Sequence, residues 1–206
     1  MYRTICSVLL VMLIGGKCLQ AQPNSHFDQL FTFAWDVNIP MGDKYVDEVS
    51  YAGGKLEFQK MINENWAVGI DVSWNSFYSY QYYQTYHLNG GTDITTDLYK
   101  YNYTLPLALT AKYYFPSGGL IQPFAGLGLG ATFSAPKLYA NIYEFYDENW
   151  GFLVRPEVGA IIKFQHDSDM GILLGARYSY STNSADFFHI DNLQALGFQL
   201  GLVWTY

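Results

Sequence analysis

The sequence predicts an all-β protein, an eight-stranded antiparallel up-and-down β-barrel that crosses a membrane with strands. Three observations predict it. About eight segments alternate apolar and polar residues with a period of two, the connections between them alternate short and long, and one face of these segments is almost free of charge. A period of two means strand because successive side chains leave opposite faces of an extended backbone.

The chain is expected to open with a signal peptide over residues 1–21. Arg3 lies near the start, Ile5 to Gly16 form an apolar run, and Leu19-Gln20-Ala21 ends in a small residue. That run is too short to span a bilayer as a helix. Lys17 before Cys18 breaks the small-residue pattern that precedes a lipidated cysteine. Cys6 and Cys18 leave with the signal, so the mature barrel, residues 22–206, has no thiol. Such a chain suits an oxidising compartment and has neither disulfides nor cysteine-ligated metals. Its formal charge moves from -7 to -9 because Arg3 and Lys17 leave with no acid. That acidity disfavours nucleic acid as a partner.

The strands follow in order. In Phe27 to Ile39, Phe31, Phe33, Trp35, Val37 and Ile39 share a face opposite Asp28, Thr32, Asp36 and Asn38. Gly54 to Lys60 is the second. Trp66, Val68, Ile70, Val72 and Trp74 form the apolar face of the third, and Tyr99 to Phe115 the fourth, with Lys100, Asn102, Thr104, Thr110 and Lys112 on its polar side. Pro123 to Phe133, Phe152 to Phe164, Ile172 to Tyr180 and Leu196 to Tyr206 complete the set. Between them, Met61 to Asn65, Pro116 to Leu120 and Gln165 to Met170 are short turns, whereas Pro40 to Ser50, Tyr78 to Asp97, Ser134 to Asn149 and Thr182 to Asn192 are long loops. Membrane barrels have short periplasmic turns and long outer loops, so both termini are expected on the periplasmic side.

A soluble barrel would share the alternation, and charge decides between them. The apolar face carries only Lys60, at a strand end. The other collects Lys55, Lys100, Lys112, Lys163, Arg155 and Arg177 against Asp28, Asp36, Glu57, Asp71 and Glu157. Such a balance is expected of a charge network inside a narrow lumen, where an unpaired ion is costly. Aromatics near the stripe ends read as interfacial girdles: Trp66, Tyr113, Phe115, Phe164, Trp204 and Tyr206 at one rim, Trp35, Trp74, Tyr99, Phe152 and Tyr180 at the other.

Trp66-Ala67-Val68-Gly69-Ile70, Tyr103-Thr104-Leu105-Pro106-Leu107, the run Gln122 to Gly130 and the terminus Gly197 to Tyr206 give the chain a resemblance to the small outer-membrane β-barrel superfamily of OmpA, OmpX and OmpW type, especially the short barrels of Bacteroidetes-like bacteria. The resemblance implies the outer membrane of a Gram-negative bacterium, with outer-membrane lipid, lipopolysaccharide and the assembly machinery as partners. Phe198, Leu200, Leu202, Trp204 and Tyr206, alternating to an aromatic end, look like the assembly signal of this family.

Candidate chemistry is sparse. Gly126, Gly128 and Gly130 recur at every second residue of a strand with no helix after them, so a phosphate loop is excluded and room for Arg155 or Phe124 is expected. His26, His87, His166 and His189 lack metal-ligand spacing; His189 with Asp186 and Asp191 reads as a solvated loop, and neither metal nor cofactor is expected. Lipid A deacylases, also eight-stranded barrels, carry His-x-Ser followed by Asn. Here His166-Asp167-Ser168 is followed by Asp169 in a periplasmic turn, and Tyr180 stands where Tyr180 to Ala185 would need a histidine. The outer loops are acidic, with Asp43, Asp47, Glu48, Asp93, Asp97, Glu144, Asp147, Glu148, Asp186 and Asp191 against Lys44 and Lys137, and they are rich in tyrosine. The expectation is a non-enzymatic protein with a filled lumen, serving envelope integrity or surface interaction through its loops. A narrow solute conduit and a lipid A-modifying enzyme are the alternatives.

Overall fold

The structure, a computed structural model, describes residues 28–42, 45–88, 92–165 and 168–206, and the side chains within them except at 86–88 and 92–94. The expected signal peptide, residues 1–21, lies outside the described residues, as do His26, Phe27, His166 and Asp167.

The strands are β1 (Gln29–Pro40), β2 (Ser50–Met61), β3 (Trp66–Leu88), β4 (Thr92–Tyr114), β5 (Ile121–Ala140), β6 (Tyr143–Tyr146), β7 (Asn149–Lys163), β8 (Met170–Ser181) and β9 (Leu193–Thr205). Each long strand pairs antiparallel with its sequence neighbour, β5 with β7 across the short β6, and β9 returns to β1 with Leu30 opposite Thr205 and Pro40 opposite Ala195. Eight strands therefore close into a barrel wall with no free edge, while β6 and the outer end of β3 pair on one side only. No helix among the described residues is long and apolar enough to cross a membrane.

Parity places the side chains as the sequence predicts. Leu109, at 70 % exposure, and Phe33, Ile70, Leu129, Phe152, Leu174 and Leu200 face outward, while Asp36, Lys55, Asp71, Lys112, Arg155 and Arg177 are buried inside. At the rim of short turns the aromatic rings are in contact: Trp66 lies 5.2 Å from Tyr113 across the β3–β4 pair, and Tyr113 lies 5.1 Å from Phe115 along the chain. Both described ends meet at the rim of short turns, where the Asp28 amide donates to the Tyr206 carbonyl at 2.7 Å.

At the opposite rim the structure corrects the sequence. Tyr78 to Asp97 is not a loop: β3 runs to Leu88 and β4 starts at Thr92, giving a long hairpin. Tyrosine and threonine, both strand formers, line it, and the Tyr80 ring packs tilted against Tyr99 across the strands with centroids 4.9 Å apart. Ser134 to Asn149 likewise contains the outer end of β5 and all of β6, turned at Asn141 with a φ of 56°. Asn tolerates that left-handed conformation better than most residues. A single 3-10 turn, Asp186–Phe188, ends on His189 in the same conformation.

Candidate functional site

The lumen is built in layers, and the strand register sets each one. At the end of short turns Leu30, Ala67, Tyr114, Phe124, Ile161, Leu173 and Val203 form an apolar seal. At the loop end a second cluster, Tyr45, Val46, Phe77, Ala185, Phe188 and Ile190, forms a roof, held by a hydrogen bond from the Tyr45 hydroxyl to the Lys137 carbonyl at 2.6 Å.

Between them lies a charged layer. Asp36, Glu57, Asp71 and Glu157 face Lys55, Lys112, Arg155 and Arg177, and all eight are at most 4 % exposed. Four acids against four bases leave the layer formally neutral. Lys55 Nζ lies 2.9 Å from Glu57 Oε2, 3.3 Å from Asp71 Oδ2 and 2.9 Å from Glu157 Oε2. Lys112 Nζ joins Glu57 and Glu157 at 2.8 and 2.9 Å and sits 4.5 Å from the centre of the Phe124 ring. Arg155 donates to Asp71 Oδ1 at 2.6 Å and to Ser73 Oγ at 3.1 Å. Arg177 pairs with Asp36 and donates to the same Ser73 oxygen at 3.2 Å. In a low-dielectric interior an ion is tolerated only with such partners on every side.

Three carboxylates of this layer, Glu57, Asp71 and Glu157, have oxygens within 4.8 Å of one another, the spacing of a metal site. The Lys55 ammonium contacts all three, so the protein's own cation supplies the charge a metal would bring.

Eight of the eleven charges predicted for the lumen meet here and three do not. Asp28 is exposed at the rim, Lys163 is half-buried at the end of β7, and Lys100 stands near the loops with Nζ 5.3 Å from the centre of the Tyr45 ring. Parity tells which face a residue takes, but its depth comes from strand tilt and register. The neutral members escaped sequence reasoning. The Tyr114 hydroxyl donates to Gln59 Oε1 at 2.6 Å, and Gln59 Nε2 donates to Glu57 Oε1 at 2.9 Å. Gln199, turned with its amide nitrogen toward Glu157, accepts from Arg177 Nη1 at 3.2 Å. Their sole signal in the sequence is that they share the inward parity.

The glycines of β5 also differ in detail from expectation. A Cβ at Gly126 would come within 2.6 Å of Lys112 Cγ, and one at Gly130 within 1.9 Å of the Leu107 carbonyl oxygen. At these two positions the room serves Lys112 and the neighbouring backbone, whereas a Cβ at Gly128 would meet Arg155 Cβ at 3.7 Å, an ordinary contact.

Above the charged layer, Asn38, Asn75, Asn102 and Thr132 line part of a cavity of about 40 Å³. Asn38 Nδ2 donates to Asn75 Oδ1 at 2.6 Å, whereas Asn102 Nδ2 and Thr132 Oγ1 have no hydrogen-bond partner among the described residues. Of the possible catalytic cluster, Ser168 is described: its hydroxyl closes the turn by donating to the Met170 carbonyl at 3.0 Å.

No protein-family model matches the chain, and no curated protein does. Solved structures similar to it include Neisserial surface protein A, with a TM-score of 0.54, 12% identity and coverage of 90% of this chain and 100% of that one. Ail, the attachment invasion locus protein of Yersinia pestis, in complex with the heparin analogue sucrose octasulfate, aligns with a TM-score of 0.48, 14% identity and coverage of 88% and 100%. The outer membrane protein OprG from Pseudomonas aeruginosa aligns with a TM-score of 0.47, 12% identity and coverage of 89% and 98%. Eight antiparallel strands closed first to last around a polar interior, with an apolar exterior between aromatic rims, give this chain the fold of the small eight-stranded outer-membrane β-barrels.

Proposed function

We propose that the protein is a non-enzymatic component of the outer membrane of a Gram-negative bacterium, with a closed lumen, acting through its outer loops in envelope integrity or surface interaction. The observation that carries this reading is the neutral layer of eight buried charges between two apolar seals. An ion passing along the axis would have to break several charge-assisted contacts at once, each left uncompensated in a dry interior. The apolar exterior fits lipid and lipopolysaccharide as surroundings. The outward row Phe198, Leu200, Leu202 and Trp204 on β9, followed by Tyr206, suits recognition by the assembly machinery, with both described ends on the periplasmic side.

Single-channel recording in planar bilayers tests the closed lumen: the purified protein is expected to give no stable openings, and large, long-lived ones would sink the idea. One observation favours a narrow conduit instead. The cavity above the charged layer, with the unpartnered Asn102 and Thr132 atoms, has room for about three waters at roughly 10–15 Å³ each. Small, intermittent conductance would support that second reading. Lipid A from cells with and without the protein is expected to have the same mass spectrum, and a changed acyl pattern would reject the non-enzymatic assignment.

A further inference from the structure

We propose that the groove between β6 and the 3-10 turn Asp186–Phe188 binds a basic segment of a partner protein, one whose Lys or Arg side chains are flanked by apolar residues. The proposal rests on the reading that the outer loops are the working surface. The groove is open to solvent, has a volume of about 670 Å³ and is lined by Phe145, Tyr146, Asp147, Asp186, Phe187 and Phe188.

The local fold explains why it is aromatic. Phe188 is buried in the roof against Tyr45, with ring centres 5.1 Å apart, and this anchors the turn. Its neighbour Phe187 then points away from the roof and is 61 % exposed. Phe145 is opposite Leu138 in the β5–β6 register, and Leu138 packs against the roof, so Phe145 faces the barrel mouth rather than lipid. The Phe145 and Phe187 rings lie 5.4 Å apart and join the two loops in one apolar wall. Solvation alone does not select two exposed phenylalanines that share a cleft; such patches mark contact sites.

Charge identifies the occupant. Asp147 and Asp186 stand at the groove, with Glu148 next to Asp147 in sequence. Lys137, on β5, is held by Glu144 at 3.0 Å. Aromatic faces beside carboxylates attract a cation through the ring quadrupole and through charge together, and guanidinium or ammonium groups on apolar stems satisfy both. An acidic polysaccharide would be repelled.

The test uses the full mature protein refolded into phosphatidylcholine nanodiscs, and a fluorescent peptide alternating Lys and Phe as the probe, with protein-free nanodiscs subtracted. Saturable binding is expected, weakened at least about tenfold in the F145A/F187A and D147N/D186N variants, and weakened again as NaCl rises from about 50 to about 500 mM. A peptide alternating Glu and Phe should not bind. Both variants change exposed side chains, and retained heat-modifiable gel mobility shows that each is folded. Absence of binding to the wild type, equal binding of the acidic peptide, or binding unchanged in both variants would overturn the proposal. Failure of the broader loop reading looks different: trimming the β5–β6 and β8–β9 loops would then leave envelope and surface phenotypes unchanged.

Discussion

Lys55 is the residue on which the charged layer turns, because its ammonium is shared by Glu57, Asp71 and Glu157. Replacing it with methionine preserves length and removes the cation, leaving three buried carboxylates facing one another. Lys55→Met is expected to destabilise the barrel by about 3–5 kcal/mol, the cost of breaking a buried pair from one side. Adding Glu157→Gln restores the charge balance, so the double variant should be more stable than Lys55→Met alone. Urea unfolding of refolded protein, followed by gel mobility, measures both; strictly additive losses would argue against coupling. The membership of this layer was partly legible. Inward parity and opposite sign marked Lys55, Glu57, Asp71, Lys112, Arg155, Glu157, Arg177 and Asp36, but the same criteria also admitted Asp28, Lys100 and Lys163, whose depths in the barrel are different.

The β5–β6 hairpin is an element that the sequence hid. Its residues read as loop because Tyr139 to Glu148 lacks apolar alternation, yet Tyr139 pairs with Glu144 and Lys137 with Tyr146. Polar contacts hold it: Glu144 Oε1 accepts from Lys137 Nζ and from the Tyr139 hydroxyl, each at 3.0 Å. The Lys137 bond, and next the Tyr139 bond, hold the Glu144 carboxyl below its ordinary value of 4.5. A lowered value in the folded state means that the contribution is present above that ordinary value and lost as pH falls through the lowered one. Amide hydrogen exchange across 137–146 is therefore expected to accelerate in acid, after correction for the intrinsic rate. Glu144→Gln should show the faster exchange already at neutral pH. Exchange that does not depend on pH in the wild type would remove Glu144 as the clamp. The β3–β4 hairpin is hidden for a related reason: the tyrosine-rich, polar stretch Tyr78 to Asp97 reads as loop, although its strand formers pair across the two strands.

For the whole molecule the deciding feature is which side of the sheet meets hydrocarbon. Leu109 lies on the outer face and is 70 % exposed, between Ala108 and Thr110, both of which are buried inside. If lipid surrounds the barrel, Leu109→Lys is expected to cost about 2–4 kcal/mol near the bilayer midplane. On a barrel facing water the same change would stay within about 0.5 kcal/mol. Refolding titrations into phospholipid vesicles distinguish the two, and a neutral effect would sink the membrane reading. The seals belong to this scale as well. Leu30 and Val203 come from opposite ends of the chain, and Tyr114, Phe124, Ile161 and Leu173 from four strands, yet they close one end of one lumen.

The sequence by itself determined the inner parts of the eight barrel strands and their alternating faces, because a period of two is a local property. It also determined which side of the sheet is charged, since parity carries that information along each strand. Tertiary structure alone decided which charges meet, where the lumen is sealed and which loop aromatics share a groove. Those depend on closure of β1 on β9 and on the register of eight strands, which bring together residues as distant as Asp36 and Arg177. No local pattern encodes the height at which two such residues will face each other across a barrel.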